Sequence, residues 1–324
     1  MAALPEHRFP APSTVSSEIA DFYKVILSLP RPADNFESAP ASLEEWDARA
    51  RLTEQMLAQL EAPVLPTLKP RVEEVHLGGV PALRVEPTDG ATGKAVLIYV
   101  HGGAFTIGTA RSTLAAPALM SAQTRMPVYS IDYTLAPRLQ WEGIIGQVIA
   151  AYSDLLSTAP AESIGAFGDS AGGAIIAGSV LKMRDSGIAM PGALVLQSPW
   201  ADITNTGDSY STLADADPLL SYGALKASAD AYAQPEDQKN PYVSPVYGDY
   251  TKGFPPTLVQ GGLREIFLSN FVRQARAIRD AGGIVDLDLY EGMFHVFQTL
   301  RSDCPESKAA YVVAAEFWKQ HLAI

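Results

Sequence analysis

One cysteine, Cys304, stands in 324 residues. An intrachain disulfide is therefore excluded, and so is a metal cluster built on several cysteines. Lysines and arginines nowhere form a run, and acids outnumber bases 36 to 24, leaving a net charge of −12. Nucleic acid and anionic membrane surfaces are poor partners for such a chain, whereas a neutral small molecule meets no electrostatic barrier. No apolar stretch approaches the roughly 18 residues that read as a membrane-crossing helix. The opening "MAALPEHRFPAPS" lacks a basic region followed by an apolar one, so no signal peptide is expected and a reducing cytoplasm fits. Internal repeats and low-complexity tracts are also missing.

What is present is a globular composition, 47% hydrophobic and 19% charged, with ample material for one large core. Residues 1–65 read apart from the rest. Ile19, Phe22, Tyr23, Ile26 and Leu27 fall at helical spacing. "SLEE" (42–45) is a capping-box start for a second helix bearing Trp46, Met56, Leu57 and Leu60. Pro-rich joints at 30–40 and 63–70 set these helices off.

From Val72 onward strands and helices alternate. "VEEVHL" and "VPALRVEP" flank Gly78-Gly79 and read as a hairpin. Dense apolar runs follow at 95–100, 127–132, 163–168, 193–198, 256–261 and 284–290. Most are unbroken rather than alternating, as strands covered on both faces should be. Helical patterns lie between them at 111–124, 144–157, 170–184, 266–281 and 306–322. The expectation is an α/β fold: a mostly parallel eight-stranded sheet with helices on both faces. Residues 199–253 break the rhythm, with no convincing core strand. A long insertion there is expected over the carboxyl ends of the strands, where ligands bind in such sheets. Residues 1–45 and about 203–250 are read as a helical cap, and 70–202 with 251–324 as the catalytic core of a single domain.

"GDSAG" (168–172) is a G-x-S-x-G between the strand "SIGAF" and the helix "AGGAIIAGSVLKM". Composition alone yields roughly 0.1 such match by chance in this length, so the strand–turn–helix context is what marks Ser170 as a nucleophile on a tight elbow. Gly168 and Gly172 leave room for the turn, and the N–H of Ala171 at the helix start faces a developing negative charge. "YVHGGAF" (99–105) has the form of an oxyanion-hole loop, with the N–H groups of Gly102 and Gly103 as donors. His101 leads that loop and is read as ordering it rather than as the base. In folds of this kind the base follows the nucleophile, and His295 in "YEGMFHVF" lies just past the last strand. His7, His76 and His321 have no comparable placement. For the acid, Glu265 is the carboxylate nearest the end of "PTLVQG". Asp202 is the rival, and Asp288 and Asp217 are further alternatives.

Together "HGGAF", "DYTLAP" (132–137), "GDSAGG", "SPWADIT" (198–204), "PPTLVQGGLREIFLSN" (255–270) and "YEGMFHVF" (290–297) resemble the bacterial hormone-sensitive-lipase-like (family IV) esterases of the α/β-hydrolase fold. They occur in that family's order and cover most of residues 70–324. The resemblance implies a serine carboxylesterase without cofactor or metal, acting on small neutral esters of short to medium chain. It implies Ser170 as nucleophile, His295 as base, Glu265 as acid, and Gly102, Gly103 and Ala171 as oxyanion donors. A homodimer through the edge of the last strand is also implied. A lactone hydrolase using the same triad is the alternative, and a non-catalytic binder is disfavoured because His295 is present.

Some positions depart from the family. Ala104 stands where a third glycine is usual. Thr134 and Arg138 replace a basic and an acidic residue, which reads as one altered surface network, and Gly146-Gln147 stands where an acidic pair is usual. Trp141-Glu142-Gly143, Ser269-Asn270 and Phe294 also differ. The expected consequence is a change in substrate shape and entry, with the triad intact.

Overall fold

The computed structural model describes residues 9–28, 38–61 and 64–323. His7 and most of the joint at 30–40 lie outside them, as does the side chain of Leu60. One eight-stranded sheet organises the chain: β1 (Arg71–Leu77), β2 (Val80–Glu86), β3 (Val96–Val100), β4 (Val128–Ile131), β5 (Ile164–Asp169), β6 (Ala193–Gln197), β7 (Thr257–Gly262) and β8 (Val285–Tyr290). Their order across the sheet is β1-β2-β4-β3-β5-β6-β7-β8. Only β2 runs antiparallel to its neighbours; from β4 to β8 all pairs are parallel. Gly78 and Gly79, at φ 56° and 82°, turn β1 into β2, the left-handed pair that a two-residue hairpin requires.

The apolar runs of the central strands are unbroken because each face meets its own core. Ile98, Val100, Ala166, Leu194 and Leu196 point into one cluster, while Leu97, Tyr99, Phe167 and Val195 point into the other. This is the period-2 alternation of a strand with both sides filled. The first cluster is closed by α5 (Trp141–Leu155), α6 (Ala171–Asp185) and α9 (Leu268–Asp280), the second by α4 (Ala115–Thr124) and α11 (Pro305–His321). In α5 the buried residues Trp141, Ile144, Ile145, Val148, Ala151, Tyr152 and Leu155 form one helical stripe.

Every expected strand is found, and the five expected core helices lie within a few residues of their anticipated bounds. Two helices outside the segments expected to form a cap were not anticipated, α3 (Val64–Leu68) within the Pro-rich joint and the single turn α10 (Phe297–Leu300) just after His295, while α8 (Tyr222–Tyr232) lies within 199–253. The short α7 (Ser209–Thr212) also lies within 199–253. The two N-terminal helices are α1 (Ser17–Ile26) and α2 (Leu43–Glu61). α1 buries Ile19, Phe22, Tyr23 and Ile26 against Met293, Phe294, Phe297 and Leu300. Among the described residues no helix is long and apolar enough to cross a membrane.

The order β4-β3-β5 reverses the direction of chain progression at β3. Loops leaving β3 and β5 therefore emerge side by side, with Val100 opposite Gly168 in the ladder. Such a switch point is where ligands bind in sheets of this kind.

Candidate active site

Strand β5 ends at Asp169 and α6 begins at Ala171, leaving Ser170 as the single connecting residue. Its backbone sits at φ 52°, ψ −122°, a combination that costs an L-residue energy and persists only where neighbours enforce it. Two backbone bonds do so: Ser170 N–H donates to Gln197 O, and Ser170 O accepts from Trp200 N–H, each at 2.9 Å. The flanking glycines are required sterically. A Cβ on Gly168 would stand 2.6 Å from the Gly172 carbonyl carbon, and one on Gly172 would collide with the Val100 carbonyl.

The loop after β3 lies against this elbow. A Cβ on Gly102 would run into the Asp169 carboxylate and stand 3.1 Å from Ser170 Cβ. Gly102 and Ala171 thus lie beside Ser170, with Gly103 next in the loop, and the three amides are not equivalent. Gly102 N–H donates to Asp169 Oδ1 at 3.2 Å, which also takes the Tyr99 hydroxyl at 2.5 Å. The expected role of Gly102 as an oxyanion donor conflicts with that bond. Among the described residues the amides of Gly103 and Ala104 have no such acceptor, and the chain turns there through φ 104°, 51° and 67° at Gly103, Ala104 and Phe105. Burial raises the Asp169 carboxyl above the usual range, opposed by the Tyr99 hydroxyl bond.

His101 is fully buried, its Nδ1 2.7 Å from Gly102 O and its ring stacked on Tyr133 at 4.3 Å. Tyr133 returns a hydroxyl bond to His101 O at 3.0 Å. Burial lowers the His101 pKa, so the ring is a neutral brace of the loop, as its sequence position suggested.

His295 lies in the loop after β8, with Nδ1 2.7 Å from Glu265 Oε2. Glu265, fully buried, lies in the loop after β7. Its other oxygen accepts from Gly262 N–H at 2.6 Å and from Ser198 Oγ at 2.8 Å. Ser198 Oγ in turn accepts the Val296 N–H at 3.1 Å. One hydroxyl therefore joins the loops after β6, β7 and β8. Sequence reasoning gave Ser198 no role, although it opens the "SPWADIT" segment.

The rival carboxylates are engaged elsewhere. Asp202 Oδ2 faces Arg273 at 2.6 Å and Tyr247 OH at 2.9 Å. Asp288 accepts from Gln260 Nε2 at 3.0 Å, and Asp217 from three backbone amides. His321 packs on Phe317 in α11, and His76 lies in β1. Among the described residues no group of three or more His, Cys, Asp or Glu side chains is arranged to hold a metal ion.

Rings back this arrangement. Tyr232 of α8 stacks on Phe105 at 3.8 Å, Phe105 on Trp200 at 5.2 Å and Trp200 on Phe267 at 5.5 Å. Phe267 meets the His295 ring edge-on at 5.2 Å. The column runs from α8 through the loop after β3 to the imidazole.

A protein-family model described as alpha/beta hydrolase fold matches residues 97–299. The chain belongs to this family. An esterase of Acinetobacter venetianus is 33% identical over 258 residues, 79% of this chain and 83% of that protein. An acetyl-hydrolase of Streptomyces hygroscopicus is 31% identical over 251 residues, 76% and 82% of the two chains. Among solved structures, esterase E25 superposes with a TM-score of 0.89 at 30% identity, covering 99% of this chain and 98% of that one. An esterase of the bacterial hormone-sensitive lipase family gives 0.82 at 30% identity, covering 94% and 98%. Within the α/β-hydrolases, this chain is of the hormone-sensitive-lipase-like esterase branch.

The departures from that branch have structural partners. Thr134 N–H and Oγ1 pair with Gln147 Oε1 and Nε2 at 2.8 and 3.0 Å, an amide contact between two of the altered positions. Arg138 instead reaches Asp47 of α2 through two bonds of 2.7 and 2.9 Å. Ser269 and Asn270 hold Asp208 and Tyr210 of the 199–253 segment. Phe294 stacks on Phe22 of α1 at 4.4 Å.

Proposed function

We propose that this enzyme, a carboxylic ester hydrolase by family, is a serine carboxylesterase acting through an acyl-enzyme on small neutral esters of short to medium acyl chain. The observation that carries the reading is the 2.7 Å contact between His295 Nδ1 and buried Glu265. It commits Nδ1–H to the carboxylate and leaves Nε2 as the basic nitrogen. Ser170 Oγ attacks the ester carbonyl while His295 Nε2 takes its proton. Glu265 keeps the imidazole in that tautomer and stabilises the imidazolium. The amides of Gly103, Ala104 and Ala171 stabilise the tetrahedral oxyanion, with Gly102 held by Asp169 instead. His295 then protonates the leaving alcohol, and water activated by the same nitrogen releases the acid.

Residues 1–45 and 203–250 are read as the cap that shapes the approach to Ser170. The packing of α1 on the His295 loop and of Tyr232 on Phe105 supports this. A homodimer at the outer edge of β8, whose one ladder partner among the described strands is β7, completes the reading, and gel filtration tests it. A cytoplasmic location is part of the same reading.

The deciding experiment is a panel of p-nitrophenyl esters with acyl chains from C2 to C12, plus several lactones. Ser170→Ala serves as the blank and fluorophosphonate labelling as the probe of Ser170. Turnover centred on C2–C8, abolished in Ser170→Ala, is expected. Activity on lactones alone overturns the esterase reading in favour of lactone hydrolysis. Full activity in Ser170→Ala overturns the serine mechanism.

A further inference from the structure

A second carboxylate is buried beside the Glu265–His295 pair without touching the imidazole. Asp217, in the loop between α7 and α8, has no solvent exposure. Its Oδ1 accepts the N–H groups of Leu219 and Leu220, each at 2.9 Å, and its Oδ2 accepts Ile266 N–H at 3.0 Å. Ile266 is the residue after Glu265, so one side chain links the 213–221 loop to the backbone that carries Glu265. All three partners are donors. A protonated carboxyl would replace a carboxylate oxygen by a poorer hydroxyl acceptor, and its O–H would find no acceptor among the three amides, so these bonds weaken. The geometry is built for the ionised form.

We infer that Asp217 is a positioning residue: as a carboxylate it holds the Ile266 amide, and through it Glu265, where Glu265 meets His295, and its protonation releases that hold. The inference rests on the serine-esterase reading above. Burial pushes the Asp217 carboxyl up to about 6, against the lowering effect of the backbone bonds and of His295. The groups facing it are Tyr23 from α1, Glu265 from the loop after β7 and His295 from the loop after β8. Arg264, whose guanidinium lies 5.1 Å over the Tyr23 ring, is the nearby cation. A loss of activity in acid at Asp217 is then added to that of the general base.

The test is the pH profile of kcat/KM for p-nitrophenyl acetate in the wild type, Asp217→Asn and Ser170→Ala. Asparagine keeps the shape but carries no charge, and its NH2 cannot accept from an amide N–H. In the wild type the logarithmic acid limb should fall more steeply than one proton allows between about pH 6.5 and 5. Asp217→Asn, folded by circular dichroism, should lose roughly tenfold in kcat at pH 8 with KM changed less than about threefold. Its acid limb should have unit slope and lie at lower pH, because no protonation at position 217 remains to release Glu265. A purely structural role would lower activity without altering slope or position. A unit slope in the wild type overturns the proposal, and so does a folded Asp217→Asn with the wild-type limb. If the variant fails to fold, the wild-type slope alone decides. Absence of wild-type turnover, or turnover persisting in Ser170→Ala, overturns the esterase reading and this proposal with it.

Discussion

Gly102 gives its N–H to Asp169 Oδ1, the oxygen that also receives the Tyr99 hydroxyl. The residue before Ser170 thus anchors the loop after β3. Asp169→Ala should free Gly102 and remove the acceptor that the Tyr99 hydroxyl uses, lowering stability by about 1–3 kcal/mol and kcat by roughly tenfold or more. Asp169→Asn keeps an oxygen acceptor and removes a buried charge, so it should stay within about threefold of wild type. Paired kinetics and melting curves check the contrast; equal losses in both variants would tell against an anchoring role.

Ser198 offers a second test. Its hydroxyl donates to Glu265 and accepts from Val296 N–H. Ser198→Ala should leave that amide unpartnered and allow Glu265 to turn. We expect kcat to fall about tenfold and the melting point to drop by roughly 2–6 °C, as a loss of about 1–2 kcal/mol does in a chain of this size. Unchanged kcat at a lowered melting point would limit Ser198 to a structural role.

Ala104, at φ 51°, occupies a conformation that suits glycine. An L-residue there costs about 1–2 kcal/mol, against a smaller entropic gain over glycine in the unfolded chain. Ala104→Gly should therefore raise the melting point by about 2 °C and widen the approach to Ser170, to be read as improved kcat/KM for bulkier acyl groups. A lowered melting point would contradict it.

Asp217 has a thermodynamic signature independent of kinetics. Its folded pKa, about 6, lies above the ordinary 3.8. Its contribution to stability is therefore full below pH 3.8 and is lost as pH rises through 6. The loss is on the order of 3 kcal/mol. Asp217→Asn does not titrate, so its melting point relative to wild type should climb between pH 4 and about 6.5 and then level off. A constant difference across that range would contradict the shift.

Why some of this was legible in the sequence and some was not follows from particular residues. The strands announced themselves because a sheet filled on both faces leaves unbroken apolar runs, as in Val96–Val100. Ser170 was legible because its elbow leaves no room beside it, and Gly168 and Gly172 record that constraint. α8 stayed hidden because its buried face is largely alanine and serine (Ala224, Ala227, Ser228, Ala229), which carries little hydrophobic contrast. Glu265 was preferred to Asp202 from its place just past "PTLVQG", but what engages Asp202 was not legible: Arg273 lies 71 residues away. The commitment of Gly102 to Asp169 spans 67 residues and was equally invisible.

The stack from Tyr232 to His295 bears on how such a protein can diversify. A larger or smaller ring at Phe105, Trp200 or Phe267 would alter the cleft, but each is wedged between partners that end on the imidazole. A substitution there changes the cleft and the position of the His295 ring together, so adaptive steps through the column are constrained by pleiotropy. The exposed side of α8 carries no such linkage through the stacked rings. New ester preferences are more readily acquired there, one residue at a time, while the His295 ring stays where it is.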